Sequence, residues 1–460
     1  MRRILLLATT TGYQTRAFGD AAARLGVELV FATDRCHLIE DPWQDHAIAI
    51  RFYDEDASVT AIIESAAAVP LDGLLVVGDR PTVIGARVAE RLGLPWHSPA
   101  GASAARHKEL TRQCLRDAGL PVPWFFAVAL SSQQSVLSAC HAETPQARRR
   151  EPTVPSPQPL SYPCVVKPVA LSGSRGVMRA DDPAALAAAF ERLRALMAQP
   201  EVRAERNEAH AIALVEGFIP GREYAVEGLM HHGVLHVLAI FDKPDPLDGP
   251  FFEETIYLTP SSAADEVQDA IVDGVTRAAG ALGLRHGPIH AECRVNPSTA
   301  SGQVEVFVLE VAARPIGGLC ARALRFQSAI CNLQSAISLE ELLLRHALGE
   351  DPAPYRREAT ASGVMMIPIP RRGVLRRVDG IDAAHQGAGV DEIHITAKPD
   401  QLLVPLPEGA SYLGFIFARA GRAADVEQAL RDAHARLAFT IDAEFPVITP
   451  GQIHYNRLHG

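Results

Sequence analysis

The sequence predicts a mixed α/β and α+β chain in three parts: an N-terminal parallel βαβ domain over residues 1–105, a longer central domain over 106–350, and a small C-terminal α+β domain over 351–460. Three observations predict it. Over residues 4–105, short apolar runs alternate with helical patterns, the rhythm of βαβ units around a parallel sheet. Composition then breaks twice, at 139–160 and near 349–354, where apolar residues thin out and prolines or charges gather. Length agrees, because 460 residues at about 150 per domain give about three domains.

Taken in order, residues 4–8 form an apolar run too short for a signal peptide, and it reads as a first buried strand. A helix over 17–25, a strand over 28–32, a strand over 73–77 and a helix over 83–92 complete the first part. A helix over 108–118 stops at Gly119 and Pro121-Val122-Pro123. Residues 139–160, with Arg148-Arg149-Arg150 and four prolines from Pro152 to Pro159, read as a mobile insertion. From Cys164 a strand, a glycine-rich loop and a helix follow, the helix announced by Asp181-Asp182-Pro183. Strands are expected over 214–218, 224–230 and 234–241, with His231-His232-Gly233 closing the last two. Val267, Ile271, Val275, Ala278 and Leu282 then recur on one helical stripe. Beyond residue 354, strands over 362–369, 392–397 and 412–418 and a helix over 426–437 make the last domain.

Composition excludes several classes. At 48% hydrophobic and 21% charged residues the chain is globular rather than disordered or fibrous. A net charge of −10 and a pI of about 5.9 argue against nucleic acid, whose binders carry a basic face. Seven scattered cysteines without a Cys-x-x-Cys pair read as packed thiols in a reducing compartment. No stretch approaches the ~18 apolar residues of a membrane span, so a cytoplasmic protein without membrane contact is expected.

The chemistry is expected around two acids. Glu292 and Glu310 each lie in an apolar strand-like run, with the turn-forming segment 296–302 between them, so the runs read as an antiparallel hairpin. Pairing about Ser301 sets Glu292 opposite Glu310, and even-with-even register puts both on one face with Val304, Val306 and Val308. Two facing carboxylates repel unless neutralised, and a hard divalent cation carried by substrate phosphates would do so. The plainer alternative is a solvated hairpin face. Lys167, near the end of an apolar strand, precedes Ser172-Gly173-Ser174-Arg175-Gly176, a loop whose backbone N–H groups and hydroxyls could close over phosphates; a surface turn is the alternative. Glu216, inside a strand end, needs a partner because a lone buried acid is costly.

In this order Lys108, Lys167, the glycine loop, Glu216, Glu223, Glu292, Glu310 and Arg314 resemble the ATP-grasp superfamily of carboxylate–amine and carboxylate–thiol ligases, over roughly residues 1–350. Within it, the segments 252–261, 312–318 and 412–418 look most like the L-amino-acid ligases that make dipeptides. The resemblance implies an ATP-grasp architecture with a two-lobed central nucleotide-binding domain. It implies that Lys108, Lys167 and the loop Ser172, Gly173, Ser174, Arg175 and Gly176 meet ATP phosphates, and that Glu216, Gly217, Phe218 and Ile219 line the adenine pocket. Glu223 would bond the ribose, Glu292 and Glu310 would hold Mg²⁺ or Mn²⁺, and Arg314 would stabilise an acyl phosphate. Ala312 stands where many relatives place a ligating asparagine. Lys243, for phosphate or carboxylate, and Glu254, for an ammonium, are the expected substrate-side charges, with a surface hairpin as the alternative. His290 reads as a packed histidine, since Mg²⁺ prefers oxygen.

The implied activity is ATP-dependent amide formation through an acyl phosphate, joining small-molecule carboxylate and amine substrates such as amino acids, with ADP and phosphate released. Two alternatives stay open, a biotin carboxylase-like enzyme activating bicarbonate and an ATP-binding regulatory module without turnover. Many superfamily members are homodimers, so that state is an expectation as well.

Overall fold

The structure, a computed structural model, describes residues 1–9, 14–34, 47–131, 160–296, 304–328 and 336–444. The expected insertion at 139–160 and most of the 296–302 turn lie outside these described residues. Strands β1 (Arg3–Leu7), β2 (Glu28–Thr33), β3 (Ile48–Ala49) and β4 (Gly73–Val76) form a parallel sheet in the order β3-β2-β1-β4. Ile4 to Leu7 are all buried, because the central strand of a parallel sheet is covered on both faces and so is apolar throughout. Helices Thr15–Leu25 and Thr82–Leu92 end at Gly26 and Gly93 in the left-handed conformation, the position that favours glycine.

The central part has two sheets. β5 (Phe125–Ala129), β6 (Cys164–Pro168), β7 (Met178–Ala180) and β8 (Ile212–Gly217) form an antiparallel sheet in the order β5-β8-β6-β7. Its helix Pro183–Met197 begins as expected, with the Asp182 side chain accepting from the Ala185 N–H at 2.8 Å. β9 (Arg222–His231), β10 (Val234–Asp242), β11 (Ile256–Thr259), β12 (Gly287–Asn296) and β13 (Glu305–Ala312) begin a larger sheet. After the small sheet of β14 (Arg325–Ser328), β15 (Ile337–Ser338) and β16 (Tyr355–Arg357), this larger sheet is extended by β17 (Ala361–Ile367). β18 (Gly373–Asp379), β19 (Val390–Ile395), β20 (Leu402–Leu403), β21 (Gly414–Ala420) and β22 (Ala438–Asp442) complete the described strands.

The order of the large sheet is β13-β12-β9-β10-β11-β17-β21-β19, so it runs unbroken across residue 350. The C-terminal part therefore shares a sheet with the central one. It also contains β20-β18-β22, strands the sequence did not reveal because Arg376 and Arg377 interrupt the apolar pattern of β18. Helix Leu339–Ala347, just before the break at residue 350, packs its leucines into one core with β1 and with Ala225, Phe241 and Tyr257 of the large sheet.

The β12–β13 pairing sets Glu292 opposite Glu310, as expected. The valines do not follow. Register shifts between Glu292 and Cys293, whose partner is Val308, leaving Leu309 as the extra residue of a β-bulge. Val306 and Val308 turn into the core beneath helix Asp265–Leu282, while Glu310 stands on the other face. A one-residue slip exchanges faces, so the expectation that Val304, Val306 and Val308 share the acids' face is corrected by the bulge.

A buried cation holds this bulge. Arg112, on helix Lys108–Asp117 and 1% exposed, donates from Nη1 to the carbonyls of Val308 (3.2 Å) and Leu309 (2.9 Å). Its Nε and Nη2 bond the two oxygens of Glu216 at 2.8 and 3.2 Å. Arg112→Ala strips a buried carboxylate and two carbonyls at once. A loss of about 3–5 kcal/mol is expected, read as a lower urea midpoint, and Arg112→Lys should recover only part, since an ammonium cannot reproduce the planar fork.

Candidate active site

Alternation along two neighbouring strands builds the site floor. On β12, Ile289, Ala291, Cys293 and Val295 enter the core, so His290, Glu292 and Arg294 face the other way. The register places them against Glu227, Ala225 and Glu223 of β9. Over this floor hangs the four-stranded sheet with Lys167 and Glu216. Between them a cavity is lined by Lys108, Lys167, Ser172, Gly173, Ser174, Glu216, Gly217, Phe218, Ile219, Glu223, Glu254, Glu292, Glu310 and Arg314. Most of the residues singled out from sequence are thus brought together.

Three are not on that lining. Arg175 turns outward, donating to the Glu408 carbonyl (2.8 Å) and the Gln199 side chain (3.1 Å), and the Gly176 N–H donates to the Pro407 carbonyl at 2.8 Å. These two anchor the far side of the glycine loop. Lys243, expected to meet substrate, lies beneath the cavity at 4% exposure. Its Nζ contacts Glu223, Glu254 and Glu292 at 2.8, 2.5 and 3.1 Å. An ammonium has three N–H donors, so all are engaged, and Lys243 organises the acids rather than reaching a ligand.

Each charge has a countercharge. Lys167 Nζ bonds Glu216 at 2.5 Å, giving Glu216 the partner that its burial requires. Burial would raise Glu216, but Arg112 and Lys167 hold it down at about 2. Burial pulls Lys167 down to about 8 despite that acid. Arg294 donates to Glu223 (2.9 Å) and to the Ile219 carbonyl (2.7 Å), fixing the segment after β8. Lys108 donates to the Leu171 carbonyl at 2.6 Å and lies 3.4 Å from Glu310. Burial, then the charge of Glu292, pushes Glu254 up to about 7. Burial opposes the ionised form of Glu292 too, yet Lys243 and His290 keep it well below the ordinary range.

Sequence reasoning missed Arg112, Asp79 and Glu227. Asp79 follows β4 and takes a bidentate bond from Arg314, at 2.9 and 3.1 Å. It lies past the carboxyl end of a parallel strand, beside the β1–β4 boundary where the strand order reverses. Ligand crevices form at that switch point in open α/β sheets, and this was a usable signal. Glu227 is fully buried, 3.1 Å from His290 Nδ1, and accepts the Ile316 N–H. Its spacing of four from Glu223 puts both on one face of β9. Burial works against a charged His290, but Glu227 and Glu292 raise it to about 9, while burial pushes Glu227 up as well.

Comparison with known proteins agrees with this architecture. Residues 160–323 match the ATP-grasp domain, 19–96 the ATP-grasp N-terminal domain, and 365–442 the L-amino acid ligase C-terminal domain 2. Together these matches give the chain the domain make-up of an ATP-grasp ligase. Its C-terminal domain is of the L-amino acid ligase kind. An L-amino acid ligase from Bacillus licheniformis superposes with a TM-score of 0.75 at 25% identity, over 96% of this chain and 99% of that one. An uncharacterized protein of Sinorhizobium fredii is 24% identical across 91% of this chain and 79% of its own length. Alanine–anticapsin ligase of Bacillus subtilis is 25% identical over 265 residues, 55% of this chain. The chain spans about half of that ligase, 51%. No described helix is long and apolar enough to cross a membrane.

The donor set fits a hard cation. Glu292 and Glu310 are paired across β12 and β13, and each lines the cavity, offering the oxygen ligands Mg²⁺ takes while its remaining positions go to phosphate and water. Glu223, Glu254 and Glu292 also lie close together, but Lys243 already sits among those three.

The Glu216 cluster predicts an acid limb of stability. Its folded value of about 2 lies below the ordinary 4.5, so its contribution is complete above about 4.5 and lost as pH falls toward 2. The shift corresponds to about 3 kcal/mol. Unfolding followed from pH 5 to pH 2 should show a steeper loss in the wild type than in Glu216→Gln.

Proposed function

We propose that this chain is a carboxylate–amine ligase that uses ATP to join two amino acids by an amide bond. One observation carries the reading: Lys108, Lys167 and the Ser172–Ser174 loop, the facing acids Glu292 and Glu310, and Arg314 line a single cavity. This is a polyphosphate cradle, a metal shelf and an anion clamp in one line. Supporting it, the fold neighbours include enzymes crystallised with ADP or ATP, and the relative named alanine–anticapsin ligase carries an amino acid in its name.

In this reading Lys108 and Lys167 neutralise the ATP phosphates, with loop N–H groups and the Ser172 and Ser174 hydroxyls as further donors. Gly217, Phe218 and Ile219 flank the adenine. Glu223 keeps lone pairs for ribose hydroxyls, because each of its oxygens accepts only one bond here. Glu292 and Glu310 would hold Mg²⁺, which neutralises phosphate charge. The substrate carboxylate attacks the γ-phosphorus and ADP leaves; the amine then attacks the acyl carbon and phosphate leaves. Arg314, held flat by Asp79, is placed to bond the acyl phosphate by charge-assisted donors. Glu254, lining the cavity beside Glu292, is the acid offered to a substrate ammonium.

Purified protein should release phosphate from ATP only when a carboxylate and an amine substrate are both present, found with a matrix of amino acids and mass detection of the condensed product. Chelating Mg²⁺ should abolish release, and Glu310→Ala and Arg314→Ala should each lower kcat by about 10²-fold or more. Undiminished turnover in both variants overturns the assignment. Asp79→Ala should lower kcat with little change in the KM for ATP, since misplacing one clamp by about 1 Å can lose up to 10²-fold.

A further inference from the structure

At the other end of β9 from Glu223, about 26 Å away along the strand, four histidines converge. His231 ends β9, His232 forms the tight turn to β10, His286 precedes β12, and His346 lies on helix Leu339–Ala347. Ring centroids are 4.4 Å apart for His231 and His232, 5.0 Å for His232 and His286, and 5.3 Å for His231 and His286. The approach is fixed by backbone. His232 and Gly233 take φ of 50° and 89°, as a two-residue hairpin turn demands, and the Gly233 N–H donates to the Arg285 carbonyl at 2.7 Å. Three imidazoles this close cannot all be charged, so they present lone pairs. His286 is 5% exposed, and its Nδ1, closed off from solvent, has no hydrogen-bond partner.

We propose that His231, His232 and His286 form a binding site for a divalent transition-metal ion of the Zn²⁺ type, with a fourth position open to water. One nitrogen of each ring lies within 4.8 Å of the others, and Zn–N bonds of about 2.0–2.1 Å draw them together with a small swing of the exposed His232. Imidazole nitrogens suit Zn²⁺, Cu²⁺ and Ni²⁺ and not Mg²⁺, so this site and the carboxylate cavity select different ions. His231 Nδ1 lies 3.1 Å from His346 Nε2. With the proton on Nδ1 that bond orients the ring and leaves Nε2 as ligand. The ion would staple the β9–β10 turn to the start of β12, and through His346 to helix Leu339–Ala347.

The test uses the full chain without an affinity tag, stripped by chelator and dialysed against Zn²⁺ or Co²⁺. One equivalent per chain is expected, with a visible Co²⁺ absorption band of a nitrogen-rich site that Zn²⁺ bleaches, and a rise in Tm on adding Zn²⁺. His232→Asn keeps the left-handed turn residue and His286→Ala removes the buried ligand; each should weaken binding by about tenfold or more, while Glu310→Ala leaves the band in place. No bound Zn²⁺, equal binding by His232→Asn and wild type, or loss of the band in Glu310→Ala instead, overturns the site.

Discussion

The four hydrogen bonds of Arg112 are the constraint on which the cavity depends. This side chain leaves helix Lys108–Asp117, enters the space between the two central sheets, and joins Glu216 of β8 to the bulge of β13. Without the bulge, β13 would keep its alternation, and Glu310 would share a face with Val308 in the core. The bulge re-aims one carboxylate, and Arg112 holds the bulge. Because the same guanidinium fixes Glu216, the cation-bearing sheet and the acid-bearing sheet take their spacing from a single buried group. Lys108 begins the same helix, so the helix that carries the clasp also delivers a cavity cation.

Lys243 performs a comparable task lower in the floor. Glu223, Glu254 and Glu292 come from β9, the segment before β11, and β12; three acids this close would repel strongly in a buried setting. The ammonium beneath them lets all three approach the cavity from one side, and its own charge is held well above the ordinary lysine range by their fields against the opposing effect of burial. Its Nζ also lies over the ring of Tyr257, 4.9 Å from the centroid. A cation buried beneath the cavity thus decides how these acids are arranged along it.

Local pattern revealed most of the frame. Apolar runs located β1, β6, β8, β9, β10 and β12, Asp182-Pro183 located a helix start, and symmetry about Ser301 located the Glu292–Glu310 pair. Features that depend on distant chain were not legible. Nothing near residue 309 announces a bulge, because its cause is Arg112, almost two hundred positions earlier. Lys243 reads from sequence like any lysine after a strand; that its donors are used up depends on acids at 223, 254 and 292. Asp79 is different, since its place after β4 was visible and only its partner, Arg314, was remote. β18 escaped because two arginines on an exposed strand look like loop.

These pairings also suggest how an anionic and a cationic ligand would be recognised together. Lys167 and Glu216 are both buried and 2.5 Å apart, and Arg112 holds the acid as well, so this pair is a fixed part of the wall. Lys108 and Glu310 are looser, 3.4 Å apart with their side chains 14% and 25% exposed. A phosphate entering the proposed site competes for Lys108, and each step of that exchange leaves Glu310 without its countercharge. A carboxylate so released is a better ligand for a divalent cation, and a cation bound there draws the phosphate in turn. Coupling of this kind needs no moving domain, only one weak ion pair placed beside a strong one.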